Sequence, residues 1–507
     1  MRNKELTRVL SIFLAAAVVT SLGACIVKDS SSELTSEESI VSESTASKSA
    51  PEKDSILITS ELSNDSDGEH VIEADGETAE YKNIKITKTG DSDEGDEADF
   101  YGDNSAIFAT NGANLTLSEL IISSDGKHAN AVFSYGDGTT VTISDCVIET
   151  TGDCSGGLMT TGGGTMIADN LTIHTTGNSS AAIRSDRGGG TVVVTDGSYI
   201  TDGTGSPVIY STADITVNNA YLESTASQGV VVEGQNSVTL NDVTLIADNN
   251  KKNSDKSGFY QAVMIYQSMS GDADEGLAEF TMSGGSLTNE NGDVFFVNNT
   301  VADIRLSGVK IINNDSDGVF LRAAAAGWGS EGTNGGNVNL YADNQVIEGD
   351  IAVDEISGVN LYLTNGSSLK GAVNSENEGN VYVKIESGST WTLTGDSYIT
   401  SLTCDADAID LNGYTLYVNG EKYQAGTSSE GSEVDFIVAA SSHGEKSGKA
   451  PDGEPGNMPG ALDGETPPEP PEGMDRNTPP EKPDGNPPEK PDGNPPDKPD
   501  GNPSKND

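Results

Sequence analysis

The sequence is poor in positive charge and in aromatic side chains. It contains 28 Lys and Arg residues against 80 Asp and Glu residues, which gives a formal net charge of −52 at neutral pH. Only 5% of the residues are aromatic. Because the phosphates of DNA and RNA repel a chain this acidic, we expect no nucleic-acid partner. Divalent cations, basic partners and neutral polymers are compatible with the charge.

Helical periodicity is also missing. No long segment places apolar residues three or four apart, so we expect almost no helix in the mature protein. Besides Cys25 the chain has three cysteines, Cys146, Cys154 and Cys404, and this odd number leaves at least one thiol without a partner in the same chain. Neither their spacing nor a histidine nearby in the sequence indicates zinc. The sequence is compatible with a local disulfide between Cys146 and Cys154 and does not require one.

The N-terminus has the features of an export signal. An apolar run at 9–19, too short to span a membrane, follows a basic segment and precedes LGAC at 22–25. LGAC resembles the bacterial lipobox, which implies that a signal peptide, 1–24, is removed and that Cys25 carries a lipid. We therefore expect an exported protein anchored to the outer face of the cytoplasmic membrane. An ordinary secretory signal with an unrelated cysteine is the alternative.

Two low-complexity segments flank the central region. Residues 25–55 are rich in Ser and Glu, with little to bury, and predict a disordered tether. Residues 424–507 are acidic and rich in Pro and Gly; PPEKPDGN occurs at 479–486 and 487–494, and PPDKPDGN at 495–502. This repeat favours polyproline II stretches interrupted by Asp-Gly turns. We expect a disordered tail that is either a wall-associated spacer or a solubilising segment.

An internal repeat of about 22 to 33 residues occupies 56–423. Each unit has two phrases, for example NAVFSY at 130–135 and TVTISDCVIE at 140–149. Alternating apolar and polar residues make each phrase a strand with one buried face, and a central Asn, Asp or Gly lets the chain turn. Stacking buries these faces, which predicts an all-β right-handed parallel β-helix with a C-terminal cap. A β-sandwich is the alternative.

The strand–turn–strand rule resembles that of the pectin-lyase-like superfamily of right-handed β-helices. RSDRGGG at 184–190 is similar to a segment of uncharacterised secreted proteins of Gram-positive anaerobes, and GSTWTLTGDSYITSL at 388–402 is similar to the late coils of adhesin passengers. These resemblances imply a cell-surface protein, in a Gram-positive bacterium, that binds or adheres. The signature strings of the superfamily's hydrolases are missing, and the arginines lack the local context of its lyases, so we name no catalytic residue.

Two adjacent columns run through the first phrase of successive units. The column that we predict to face the interior is Ile107, Val132, Leu158, Ile183, Ile209, Val231, Met264, Phe295 and Phe320. The next column, predicted to face outward, is Phe108, Phe133, Met159, Arg184, Tyr210, Val232, Ile265, Phe296 and Leu321. An outward ladder of this composition suits flat sugar rings or an extended protein chain.

The candidate ligand-binding residues follow from that ladder. They are Arg184, Asp186, Arg187, Phe133, Tyr135 and Tyr210. The two arginines would add hydrogen-bonding forks for carboxylates, such as those of uronic acids. The alternative is structural: the arginines pair with acids of the chain, and a projecting loop covers the ladder.

A calcium site is a further hypothesis. GDSDEGDEADFYGDN at 90–104 concentrates acidic residues, although their order departs from that of an EF-hand loop. The candidate Ca²⁺ ligands are Asp91, Asp93, Asp96, Asp99 and Asp103. A solvated acidic loop is the alternative.

The sequence as a whole indicates a lipid-anchored, non-catalytic surface protein. Its expected partners are a polysaccharide or a surface protein, together with the membrane through the lipid on Cys25. Two alternatives remain: a polysaccharide lyase or glycoside hydrolase of the pectin-lyase-like fold, and a structural spacer.

Overall fold

A computed structural model describes residues 50–254, 256 and 258–439 of the chain. The predicted signal peptide, Cys25 and the C-terminal repeats lie outside these residues. In the described part, most residues belong to parallel strands in stacked sheets, and the one α-helix is α1 (Asp96–Tyr101). The predicted all-β fold, a parallel β-helix solenoid, is confirmed.

The strands are mostly short because the chain turns after each one. A 3₁₀ turn at Lys53–Ser55 precedes the first strand. The strands of the first half are β1 (Ser60–Asn64), β2 (Ile72–Asp75), β3 (Thr78–Lys82), β4 (Ile84–Lys88), β5 (Ile107–Thr110), β6 (Asn114–Ser118), β7 (Ile121–Ser124), β8 (Val132–Tyr135), β9 (Thr140–Ser144), β10 (Val147–Thr150), β11 (Leu158–Thr161), β12 (Gly164–Thr175), β13 (Ile183–Ser185), β14 (Gly190–Thr201), β15 (Ile209–Ser211), β16 (Asp214–Asn218), β17 (Tyr221–Ser224), β18 (Val230–Glu233), β19 (Ser237–Asn241) and β20 (Thr244–Ala247).

The second half continues the same winding and ends in two small sheets. Its strands are β21 (Gln261–Tyr266), β22 (Leu277–Ser283), β23 (Ser286–Asn289), β24 (Asp293–Asn298), β25 (Thr300–Ser307), β26 (Lys310–Asn313), β27 (Leu321–Ala323), β28 (Gly336–Asp343), β29 (Val346–Glu348), β30 (Ile351–Val353), β31 (Gly358–Thr364), β32 (Ser368–Lys370), β33 (Asn380–Ile385), β34 (Thr390–Thr392), β35 (Ser397–Ile399), β36 (Ser401–Cys404), β37 (Ile409–Asp410), β38 (Leu416–Val418) and β39 (Glu421–Lys422).

Two long sheets form the walls of the solenoid. Sheet I has 21 strands, and sheet II has 11 strands in the order β2-β5-β8-β11-β13-β15-β18-β21-β24-β27-β30. Each strand of sheet II pairs in parallel with its equivalent in the next coil, as Ile183 pairs with Ile209. Since neighbouring strands lie about 4.8 Å apart, eleven of them make a wall about 48 Å long.

In sheet I, a single left-handed residue makes the corner between the two consecutive strand segments of one coil. It is Asn83, Asp145, Asn170, Asn219 or Asp242 in five of the coils, with φ between 51° and 59°. Asn and Asp reach this conformation at low cost because their short polar side chains bond locally. Asn170 Nδ2, for example, donates to Asp145 Oδ1 in the preceding coil at 2.7 Å. These are the central Asn, Asp and Gly positions of the repeat.

The predicted inward column is wrong by one residue in three coils. The observed stack runs Ile183, Ile209, Val230, Val263, Phe295 and Leu321. The stacked inward residues are therefore Val230 and Val263 rather than Val231 and Met264, and Leu321 takes the place in the stack that was predicted for Phe320. Phe320 itself, just before β27, is buried in the core as predicted, with its ring centroid 5.5 Å from that of Phe295. The outward residues are Val231, Met264 and Arg322 rather than Val232, Ile265 and Leu321. Each of these coils has at least three consecutive apolar residues, a pattern that fits either register, and a slip of one residue exchanges the faces.

The described chain extends past the predicted boundaries, 56–423, on both sides. Before β1, the carbonyl oxygen of Pro51 accepts a hydrogen bond from Thr172 Oγ1 at 2.6 Å. After β39, Ser429 pairs with Cys404 in an antiparallel bridge. Within the described residues, no helix has the length and apolar character needed to cross a membrane.

Candidate functional site

The outer face of sheet II carries a second layer of structure. Strands β18, β21 and β24 are buried at every position. Because successive side chains of a strand point to opposite faces, burial throughout requires cover on both faces. The cover consists of α1 and of residues from three insertions, 249–260, 268–276 and 324–334.

A small hydrophobic cluster holds part of this cover in place. Its buried members are Val231, Met264, Tyr266, Phe296 and Ala324, packed against Tyr210, Phe259, Ala326 and Trp328. The ring centroids of Phe259 and Phe296 are 5.4 Å apart, and those of Tyr266 and Trp328 are 5.0 Å apart. The cluster is separate from the core inside the coils, and it explains why outward-facing residues in these coils are apolar.

Phe133 and Tyr135 lie under or beside α1. Phe133 is on the outward face but is completely buried. Gly102, which follows α1 with φ 84°, approaches so closely that a Cβ there would lie 3.0 Å from the Phe133 ring. Tyr135 is half-buried, with its ring 5.8 Å from that of Tyr101. The expected exposed ladder is therefore closed at Phe133, which presents no surface to a ligand.

Arg184 is the centre of a buried ion-pair network. Its Nη2 lies 2.7 Å from Asp186 Oδ2, and its Nη1 lies 3.3 Å from Asp99 Oδ2. The exposed fractions of the three side chains are 15%, 7% and 5% for Arg184, Asp186 and Asp99. Burial disfavours the charge of Arg184, but the two carboxylates outweigh it and raise the arginine's pKa. Burial also raises the pKa of Asp186, against the opposing effect of Arg184.

Arg187 joins two pieces of the covering layer. Its Nε and Nη2 donate to Asp272 Oδ1 at 3.1 and 2.9 Å. Its guanidinium carbon lies 3.8 Å from the centre of the Phe100 ring, a cation–π contact. The guanidinium groups of both arginines therefore bind carboxylates of the chain itself. Arg187 also connects α1 with the 268–276 insertion.

A polar cavity of about 250 Å³ lies above Arg184. Its walls include Asp99, Phe100, Arg184, Asp186, Tyr210 and Asp272. A second cavity, of about 110 Å³, adjoins it and shares Pro207 and Tyr210 with it. The walls of the second cavity include the aromatic rings of Phe259, Tyr260, Tyr266 and Trp328, together with polar residues of the 249–260 insertion. Together the two cavities form a groove, polar on one side of Tyr210 and aromatic on the other.

Two tyrosines of the groove are fixed by one buried carboxylate. The hydroxyls of Tyr210 and Tyr266 both donate to Glu233 Oε2, the latter at 2.9 Å. Glu233 is 1% exposed, and its Oε1 has no hydrogen-bond partner among the described residues. Burial raises the pKa of both tyrosines well above the ordinary value, so both hydroxyls stay protonated at neutral pH. The Tyr210 ring is thus held in one orientation at the centre of the groove.

The five candidate calcium ligands do not share one set of partners. Asp91 accepts a backbone hydrogen bond from the next coil, Asp93 is exposed, and Asp99 faces the ion-pair network. Burial, with the charge of Glu94, raises the pKa of Asp103. The side chain of Asp96 lies outside the described atoms. Among the described side chains, only Asp99 of these belongs to a group of three or more ligand atoms within 4.8 Å of one another.

That group consists of Asp99, His128 and Cys154. His128 Nδ1 lies 3.2 Å from Asp99 Oδ1, and both side chains are buried. The sequence prediction missed the group because the three residues are far apart along the chain. The repeat register was the available signal, since it places His128 and Cys154 at the same corner of successive coils. Cys146, Cys154 and Cys404 are all free thiols, so Cys146 and Cys154 do not form the local disulfide that the sequence allowed.

The same three residue types occur in nucleophilic triads, but the electrostatics differ from those of an active nucleophile. Burial, together with the charge of Asp99, raises the pKa of the Cys154 thiol to about 11. Catalytic cysteines instead have lowered pKa values because cations or helix N-termini stabilise the thiolate. The geometry therefore does not support covalent catalysis by Cys154.

Comparisons of the chain with protein-family models, with curated proteins and with solved structures found no match.

Proposed function

We propose that the protein is a lipid-anchored surface protein that binds a polysaccharide segment in the groove on sheet II without cleaving it. In this proposal the β-helix belongs to the pectin-lyase-like superfamily, within an adhesin-like branch. The single observation that carries the proposal is the groove around Tyr210, with polar groups on one side and aromatic rings on the other.

Sugar rings need this combination of surfaces. Their C–H faces pack on aromatic rings, and their hydroxyls bond to side chains held in fixed positions. Tyr210 is fixed by Glu233, and the carboxylates of Asp99 and Asp186 are fixed by Arg184. Little side-chain freedom is lost on binding to groups that are already ordered, which favours affinity.

The ion pairs favour a neutral glycan. The forks of Arg184 and Arg187, the groups that suit uronic acids, are directed at Asp186, Asp99 and Asp272. An acidic glycan would have to displace these carboxylates and would meet a chain of net charge −52. Neutral sugar hydroxyls can instead donate to carboxylate oxygens that already accept from arginine.

Anchoring at the cell surface is part of the proposal and rests on the LGAC sequence at 22–25. A fatty acid with a bioorthogonal tag, supplied to producing cells, should label the native chain and not the Cys25→Ser chain. Equal labelling of both chains would remove the lipid anchor from the proposal.

Retention on immobilised neutral and acidic polysaccharides tests the groove. We expect Tyr210→Ala to reduce retention of a neutral polysaccharide at least tenfold. Tyr221→Ala is the matched control, because Tyr221 is also half-buried and bonds a glutamate, Glu223, but lies on sheet I. Retention that falls equally in both variants, or in neither, would contradict binding in the groove; a chain that retains no glycan would favour the spacer alternative.

One observation keeps an enzymatic function as the second candidate. Asp186 lies in the polar cavity beside Asp99, and its raised pKa is a property of general acids in glycoside cleavage. Assays for new reducing ends and for unsaturated products on the same polysaccharides separate the two functions. Product that forms with the native chain and not with Asp186→Asn would replace the binding proposal with a hydrolase or lyase.

A further inference from the structure

A cluster of metal-ligand types lies at the edge of the groove; the glycan proposal uses Asp99 of this cluster but not His128 or Cys154. One carboxylate oxygen of Asp99, one ring nitrogen of His128 and Sγ of Cys154 all lie within 4.8 Å of one another. They come from three separate parts of the fold: α1, the corner after β7 and the corner after β10. Asp99 and His128 are buried, and Cys154 is half-buried.

The two corners are equivalent in successive coils. The backbone N–H of His128 donates to Asp153 at 3.0 Å, and that of Cys154 donates to Asn178 at 2.8 Å. His128 and Cys154 have φ values of 54° and 56°, in the left-handed region that Gly205 occupies two coils after Cys154. Most other non-glycine residues with left-handed φ among the described residues are Asn or Asp, for which this conformation costs little. Here a histidine and a cysteine present ligand atoms to the same carboxylate.

The chemistry of the set selects zinc among common metal ions. Imidazole nitrogen, thiolate and carboxylate are the ligands of Zn²⁺, whereas Ca²⁺ and Mg²⁺ prefer oxygen alone. Zinc–ligand bonds of 2.0–2.3 Å place tetrahedral ligands about 3.3–3.7 Å apart. His128 Nδ1 and Asp99 Oδ1, 3.2 Å apart, are already close to that spacing, and Cys154 Sγ lies within 4.8 Å of the ligand atoms of both residues.

The surroundings orient the carboxylate as metal sites do. Asp99 Oδ1 faces His128, while Asp99 Oδ2 is held by Arg184 Nη1 at 3.3 Å. An outer hydrogen bond of this kind fixes a ligating carboxylate. The backbone of α1 is fixed as well, because Thr161 Oγ1 donates to the carbonyl oxygen of Phe100 at 2.7 Å.

We propose that Asp99, His128 and Cys154 bind one Zn²⁺ ion, with water as the fourth ligand. Binding forms a bond between zinc and Cys154 Sγ and releases the thiol proton to solvent. The charges of the carboxylate and the thiolate balance the ion. The ion joins α1 to two coils, and since α1 forms one wall of the groove, it braces that wall.

The test uses the full chain with Cys25→Ser, freed of metal by a chelator, with ZnCl₂ and CoCl₂ as the probes. We expect one Zn²⁺ per chain by metal analysis after dialysis. Co²⁺ should give the visible absorption of a tetrahedral site and a near-ultraviolet charge-transfer band from a thiolate ligand. Zn²⁺ should also protect Cys154 from alkylation in the otherwise unchanged chain, as measured by peptide mass spectrometry.

The variants are chosen to keep the corner geometry. Cys154→Ser introduces the residue that the next coil already has there, Ser179 with φ 55°, and His128→Asn introduces a residue that tolerates the same conformation. Each should weaken Zn²⁺ binding by about 100-fold or more, and Cys154→Ser should remove the charge-transfer band. Cys404→Ser, at the far end of the solenoid, is the matched control and should keep the band.

Three results of the metal-binding measurements would overturn the proposal. They are a native chain that binds less than one Zn²⁺, a cobalt spectrum without the thiolate band, and a band that persists in Cys154→Ser. The alkylation measurement needs no substitution, so it decides the matter even if a variant fails to fold: unprotected Cys154 at saturating Zn²⁺ contradicts the site. Glycan retention is measured separately in chelator, so the failure of one proposal is distinguishable from that of the other.

Discussion

The outer faces of the two long sheets differ although the same coils build both. On sheet I, strands such as β16 and β19 alternate between buried and half-exposed residues, and the outward positions are Thr, Asn, Asp and Ser. On sheet II, β18 and β24 are buried throughout, and the outward positions hold Phe296, Met264 and the ion pairs of Arg184. The repeat gives both sheets an apolar inner face, so the difference between their outer faces comes from the insertions that cover sheet II.

This difference separates scaffold from site. Around β16 and β19 the outer face of sheet I needs only solvent, so its side chains there are replaceable polar groups. Farther along sheet I, β31 is covered by the segment around Val434, which bonds to Asn360. Sheet II has a second hydrophobic cluster and buried charges that must be satisfied by specific partners. Specific partners, fixed rings and cavities are the features that a binding site requires, and they occur on the covered face.

The largest expected effect comes from removing a ring beneath the cover. Phe296→Ala should destabilise the solenoid by about 3–5 kcal/mol, because the fully buried ring contacts Phe259 of the covering layer. Thr239→Ala, an outward residue of sheet I, should change stability by less than about 0.5 kcal/mol. Urea unfolding midpoints measure both. Equal losses in the two variants would abolish the distinction between the faces.

The next largest effect concerns the charges. Arg184→Met should cost about 3 kcal/mol, since it leaves the buried carboxylates of Asp99 and Asp186 uncompensated. Lys82→Met breaks the exposed ion pair of Lys82 with Glu119 on sheet I and should leave the unfolding midpoint unchanged within error. If Arg184→Met were as harmless as Lys82→Met, the network would be a surface feature rather than part of a buried site.

A smaller effect tests what sheet I does depend on, the left-handed corner. Asn219→Ala should cost about 1–2 kcal/mol, because alanine is strained at φ 54° and loses the bond from Asn219 Nδ2 to Asp196. Asn219→Gly removes the strain and should cost less than Asn219→Ala. Thermal unfolding of the two variants gives the order, and a reversed order would show that backbone conformation does not govern this corner.

The smallest effect is a pH dependence in the turn between β26 and β27, which leads from sheet I to sheet II. Asp315 accepts hydrogen bonds from the backbone N–H groups of Gly292 and Asp317, and these bonds lower its pKa. A lowered pKa in the folded chain contributes stability above the unfolded value of about 3.9, and this is lost as the pH falls through the folded value. Asp315→Asn should therefore be less stable than the native chain near neutral pH, and the difference should shrink as the pH falls below about 3.9. A difference that stays constant in acid would contradict the assignment.

The sequence predicted the coils and corners because they depend on local patterns. Alternation, together with a central Asn or Asp such as Asn170, is enough to define a strand, a left-handed corner and a second strand. The predicted register was wrong around Val231 and Met264, where no polar residue interrupts the apolar run to show which face is buried. A separate slip of the same kind, in the coil of β27, is why Arg322, rather than Leu321, faces outward.

The site was less predictable because its parts are brought together by the winding. Asp99 pairs with Arg184 across several coils, and Arg187 pairs with Asp272, which lies in an insertion far along the chain. No local pattern records such pairs, although the unusual composition of the stretch around Arg184 is visible in the sequence. The burial of Phe133 could not be predicted from the neighbouring sequence, because it depends on where α1 packs.

The pairing of each strand with its equivalent in the next coil has a mechanical consequence. The interstrand hydrogen bonds point along the axis of the solenoid, so tension applied between its first and last coils loads them lengthwise. Under that load one coil can peel away before the next begins to yield. The described solenoid should therefore lengthen under tension in a series of small steps, each releasing one turn of chain.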